Sequence, residues 1–194
     1  MSRFRIAAAA LLALGVAVAV VPVLAKPAAL SSGIEKGGAL PAFNPTHVTG
    51  PDRDSNTCPV CRYPTNPAVQ AWINTDDEKN VVALASALEK TARANAQQKL
   101  KVFVVFMNPN RESAEGIAGR LARIGAAARL ERVSLVYLPG PDAEAVKEYA
   151  VNTDARVRNT VFVYRNRTVS AKFVNLTADG RGVSALDAAV RKTL

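Results

Sequence analysis

Cys61-Arg62-Tyr63-Pro64-Thr65-Asn66-Pro67-Ala68-Val69-Gln70-Ala71-Trp72-Ile73 is the stretch on which the reading of the fold turns. Pro64 and Pro67 each remove a main-chain donor and push the preceding residue out of the helical region, so no long helix starts at the cysteine. Ala68 to Ile73 is short, apolar and free of breakers, which predicts a buried strand. Thr75-Asp76-Asp77-Glu78 then has the spacing of a capping box with acids in the first turn. It predicts a helix capped by Thr75 that runs to about Asn95, with Val81, Leu84, Ala85 and Leu88 on its inner face.

Downstream the alternation continues. Leu100 to Met107 (LKVFVVFM) is a near-continuous apolar run, the pattern of a central strand covered on both faces. Asn108-Pro109-Asn110 ends it, and Ser113 is placed to cap a helix reaching about Leu130, with Ile117, Leu121 and Ile124 inward. Val133 to Leu138 reads as a third strand, followed by the turn Pro139-Gly140-Pro141 and a helix from Asp142 to about Val151. Thr160 to Tyr164 and Val169 to Val174 are close enough to form an antiparallel hairpin. Ser184 is placed to cap a last helix that buries Leu186, Ala189 and Val190. From Ala68 the order is β-α-β-α-β-α-β-β-α. Parallel pairs joined by right-handed crossovers, with the hairpin added at one side, predict an α/β fold: a three-layer α/β/α sandwich around a mixed sheet.

Upstream, Arg3 and Arg5 precede an uncharged apolar run from Ile6 to Ala25. Residues 1–25 therefore read as a signal peptide, or as an uncleaved membrane anchor, since the run is near the ~20 residues that span a bilayer. Either reading exports the rest of the chain, to a periplasm or beyond, and leaves an anchor as its one membrane contact. Residues 26–40 carry Pro27, Ser31, Ser32, Gly33, Gly37 and Gly38, the composition of a flexible lead-in, which places the domain at 41–194. Ala42 to Val48 holds a short strand interrupted by Pro45. The formal charge of +9 falls to +7 without Arg3 and Arg5. The arginines are scattered from Arg53 to Arg191, with no basic run interleaved with aromatics, which argues for solvated surface and against a nucleic-acid partner.

Cys58-Pro59-Val60-Cys61 holds the only two cysteines. A four-residue turn brings its end Cα atoms within ~7 Å, and proline pre-sets the φ of its second position. A disulfide needs Cα atoms ~4.4–6.8 Å apart, so the tetrapeptide can close one in an oxidising compartment. Three chemistries stay open: a structural bridge, a dithiol exchanged with other exported proteins through mixed disulfides, and a pair of metal ligands. Four ligands make a structural zinc site, and His47 is the only histidine, so one chain lacks a complete set. No His follows the motif to suggest attached haem, and no phosphate loop or Ser/His/Asp arrangement appears, so no cofactor is expected. Arg53 and Arg62 supply positive charge that would favour a thiolate. His47 reads as a loop or surface residue, and Tyr63 and Trp72 as aromatics beside the cysteines or in the core. Capping explains Asp76 and Asp77.

The element order, the exported chain and the CxxC together resemble the thioredoxin-like superfamily, over roughly Pro41 to the C-terminus. Asn159-Thr160-Val161-Phe162-Val163-Tyr164-Arg165-Asn166 is similar to that family's cis-proline strand and the hairpin after it. Leu40-Pro41-Ala42-Phe43 through Gly50 is similar to the start of its peroxiredoxin-like branch. Two positions depart. Redox-active members carry CxxC after the first central strand, where this chain has Thr75 to Lys79, and Asn159 stands where the family has the proline that faces the sulfurs. The resemblance implies thiol–disulfide exchange, with Cys58 the attacking thiolate, Cys61 the resolving sulfur and Arg62 an electrostatic helper. The departures favour a second reading, a non-catalytic binding or scaffold module with a structural disulfide. A third is a peroxiredoxin-like peroxidase: Pro51, Ser55 and Cys58 match that motif's spacing, Arg158 its arginine, and Cys61 would resolve the sulfenic acid.

Overall fold

The computed structural model describes residues 30–194, so the signal or anchor segment over 1–25 lies outside the described residues. The apolar runs become six strands: β1 Thr46–His47, β2 Ala68–Ile73, β3 Lys101–Phe106, β4 Val133–Tyr137, β5 Asn159–Arg165 and β6 Thr168–Val174. The helices are α1 Pro59–Arg62, α2 Glu78–Ala94, α3 Ala114–Ala127, α4 Glu144–Glu148 and α5 Gly180–Thr193. They form one mixed sheet in the order β1-β4-β3-β2-β5-β6. β2, β3 and β4 are parallel, while β1 runs antiparallel to β4 and β5 antiparallel to both β2 and β6.

The period-two alternation of the strands divides the core into two layers. Val69, Ala71 and Ile73 of β2 face Leu84, Leu88, Ile117, Leu121, Leu186 and Val190 of α2, α3 and α5. Ala68 and Trp72 point the other way, into a cluster with Phe43, Cys58, Val60, Phe103, Val146, Tyr149 and Phe162. The three-layer sandwich expected from element order is the fold observed. The second layer has only the short α1 and α4, and irregular chain completes it. Trp72 is core: its ring packs 4.5 Å from Tyr149 and 5.2 Å from Phe43, and its indole N–H donates to Gln70.

The lead-in departs from its composition. From Ser32 the segment is fixed to the sheet: Ser32 is buried and its hydroxyl pairs with that of Thr160 at 2.6 Å. The Gly33 and Ile34 amides donate to Ala150 and Tyr149, the Gly37 and Leu40 amides donate to Val169 and Arg167, and the Gly38 carbonyl accepts the Val169 amide. Leu40 is 1% exposed. Gly33 has φ +82°, and a Cβ there would lie 2.5 Å from the Phe162 ring, so only glycine permits this approach. The packed body therefore begins before Pro41.

Candidate functional site: the Cys58–Cys61 bridge

Cys58 is the N-cap of α1, with extended backbone (φ −71°, ψ 115°), and Pro59 occupies the first helical turn, where its missing N–H costs nothing. One turn of helix is all that Pro64 and Pro67 allow. The Cys58 sulfur accepts the Cys61 amide at 3.2 Å, and the two cysteines are joined in a disulfide with Cα atoms 5.3 Å apart. The bridge is asymmetric in its surroundings. Cys58 is 8% exposed and packs in the second core layer beside Val60, whereas Cys61 lies on the surface with Arg62. The buried residue is the one that the sequence reading assigned to attack.

His47 is not a surface residue. It is 1% exposed, on the edge strand β1, because its ring edges onto Phe103 at 6.2 Å and its backbone closes the 47–55 loop through Ser55 and Asp54. Its Nε2 donates to the carbonyl of Thr57 at 2.9 Å, which ties β1 to the residue ahead of Cys58. Nδ1 is buried with no hydrogen-bond partner. Sequence reasoning missed this because a lone His among Pro, Thr and Gly carries no apolar periodicity.

Beyond Cys61 the chain runs along the start of β3. The Asn66 amide group donates to the Lys99 carbonyl, the Lys101 amide to that of Pro67, and the Lys101 ammonium sits 4.3 Å over the Tyr63 ring. Tyr63 packs on Phe103 and donates its hydroxyl to the Asp52 carboxylate at 2.8 Å. Burial, then the Asp52 bond and charge, push the Tyr63 phenol above its usual range. Burial pulls the Lys101 ammonium below its own. Arg62 stands on this surface, and Arg53 pairs with Asp54 at 3.3 Å.

The far end of β2 is different. Asn159 pairs with Ile73 there, fully buried, and no cis peptide bond occurs among the described residues. The Asn159 side chain donates to the Asp76 carboxylate and the Leu176 carbonyl and accepts the Leu176 amide. Asn80 donates to the same Asp76 carboxylate. A closed polar knot thus fills the position where the resemblance would place sulfur chemistry. Arg158 belongs to this end: its carbonyl accepts the Asn74 amide, and its guanidinium donates to the Asn175 carbonyl. Five steps of ~3.3 Å separate Ala68 from Ile73 by roughly 17 Å, so Arg158 and the Tyr63–Lys101 end do not meet. Ser55 spends its hydroxyl on the Asp52 carbonyl and Thr57. No cluster of three metal-ligating side chains occurs among the described residues.

This architecture is the thioredoxin-like fold. No family model and no curated protein matches the chain. Solved structures do. A Chlorobium tepidum protein assigned as a thiol:disulfide interchange protein, DsbE, superposes with TM-score 0.62 at 12% identity, over 82% of this chain and 97% of that one. The peroxidoxin BcpB of Mycobacterium tuberculosis gives 0.61 at 13% identity, again over 82% and 97%. Copper-bound ScoI of Arabidopsis thaliana gives 0.50 at 11%, over 80% and 99%. Identities this low establish shared architecture, and function has to come from the site.

Proposed function

We propose that Cys58 and Cys61 form a thiol–disulfide exchange centre acting on other exported proteins. The observation that carries this reading is the asymmetric bridge: Cys61 is exposed, and Cys58 is packed beneath it with its sulfur already accepting an N–H. A partner thiolate attacks Cys61 Sγ. A bond forms between the two sulfurs, the Cys61–Cys58 bond breaks, and the electron pair leaves on Cys58 Sγ, where the Cys61 amide stabilises it. A second thiolate of the partner then attacks its own sulfur in the mixed disulfide and releases Cys61. The partner dithiol is oxidised and the protein disulfide reduced. Residues 1–25 support export, where such a bridge is stable.

The second reading, a binding module with a structural bridge, is favoured by the knot around Asp76 and Asn159. The peroxidase reading draws no support from the geometry, since Arg158 and Ser55 are engaged elsewhere. The reduction potential of the pair, by thiol trapping against glutathione buffers, separates the first two. A value of roughly −120 to −270 mV is expected for exchange, and one below about −300 mV marks a structural bridge.

A further inference from the structure

We infer that the surface around Cys61 is a cationic rim that selects anionic thiol partners, those whose cysteine lies among acidic residues; this rests on the exchange reading above. Four cations converge on one sheet end. Arg62 follows Cys61 directly. The 61–67 segment is bonded to the Lys99 carbonyl and the Lys101 amide. Arg132, ahead of β4, lines the same small cavity as Tyr63 and Lys101. None of the four is in an ion pair among the described residues, where Arg53, Arg93, Arg111, Arg120, Arg156 and Lys172 all are.

Of the nearby carboxylates, Asp54 pairs with Arg53 and Glu131 with Arg93 at 2.9 Å, while Asp52, which accepts the Tyr63 hydroxyl, keeps its charge and offsets one of the four cations. Lys101 is held in place over the Tyr63 ring, so its charge sits at a fixed point of the rim. A thiolate approaching Cys61 is itself negative, and carboxylates flanking it add attraction that a neutral partner lacks. A positive rim also disfavours partners with basic residues beside the cysteine.

The test follows disulfide opening by mercaptoacetate, 2-mercaptoethanol and cysteamine, which are anionic, neutral and cationic. Each rate is divided by that of the same thiol on di-2-pyridyl disulfide, an uncharged disulfide that none of the three thiols regenerates, which removes differences in intrinsic reactivity. The expected result is an excess of roughly five-fold for the anionic thiol over the neutral one. That is the factor one unit-charge contact at ~4 Å supplies in water. The cationic thiol should show a deficit of similar size, and both should fade as salt rises. In the Lys99→Gln/Arg132→Gln variant the spread should shrink, while the salt series on the unaltered protein stands whether or not that variant folds. Equal normalised rates, or a spread indifferent to salt, overturn the inference and leave the exchange reading standing. If no thiol opens the bridge, the exchange reading itself fails and takes the rim's role with it.

Discussion

Glu89 illustrates what a single side chain carries here. It lies on the inner turn of α2, 3% exposed, and one carboxylate oxygen accepts the amides of Glu131, Arg132 and Val133 while the other takes Arg93. Burial by itself would raise this carboxyl, but three backbone donors and Arg93 outweigh it and hold it below its ordinary value. The unfolded chain therefore takes up the proton first on acidification. The stabilisation is complete above the ordinary glutamate value and is lost as pH falls through the lower folded one. Glu89→Gln should cost about 1.5–3 kcal/mol near neutrality, the range for bonds to a charged group. The deficit should narrow as pH falls below the ordinary glutamate value, as urea unfolding at neutral and at acid pH would measure. A deficit that stayed constant with pH would remove the carboxylate charge from the account. Residue-scale features of this kind were the least legible in sequence. The resemblance ordered the two cysteines by role but not by burial, and the signal for burial is the Cys-Pro pair: Pro at the first helical position makes Cys58 the cap, with its sulfur accepting the Cys61 amide.

At the scale of elements, the strands and helices were legible from periodicity and the caps only in part: Ser113 caps α3 as expected, accepting the Gly116 amide at 3.1 Å. The Thr75 spacing suggested a capping box, but Asp77 is the cap, accepting the Asn80 amide at 2.8 Å, while the Thr75 hydroxyl reaches across to the Ala155 carbonyl. Asp179 and not Ser184 caps α5, and the N-cap of α4 is Ala143, which has no capping side chain, where Asp142 was expected. Runs of short polar side chains offer several registers with equal local merit, and tertiary contacts choose between them. A consequence follows at α4. Its last turn ends with Ala150 in the left-handed region at φ +51°, exposed, with its amide bonded to Lys147. A non-glycine residue there costs about 1–2 kcal/mol, and glycine loses about 0.4–1 kcal/mol of that through a freer unfolded chain. Ala150→Gly should therefore raise the melting temperature by about 1–4 °C in a chain of this size, read by calorimetry. A lowered value would place the helix end under different constraints.

The whole molecule depends on a segment whose composition suggested it could be discarded. Element order predicted the three layers and the late hairpin correctly, because alternating strand and helix periods leave few ways to cover both faces of a sheet. Nothing in that argument concerns residues 30–40, where glycine and serine read as slack chain. In the fold Gly33 meets Phe162 without a side chain, and Gly37 to Leu40 cover the outer edge of β6 near Val169. The second layer, with only α1 and α4 as helices, needs Leu40 and Phe43 to close over Tyr149 and Trp72. A chain beginning at Pro41 should thus be less stable than one beginning at Leu30 by at least ~3 kcal/mol. Removing one buried leucine side chain alone costs about 2–5 kcal/mol, and its main-chain bonds are lost with it. It should also associate more readily, since an uncovered edge strand offers unpaired donors and acceptors to a second copy. Urea unfolding of the two chains, with sedimentation at matched concentrations, checks both expectations. Coincident midpoints would return the segment to the role of a linker, and the body of the fold would begin at Pro41 after all.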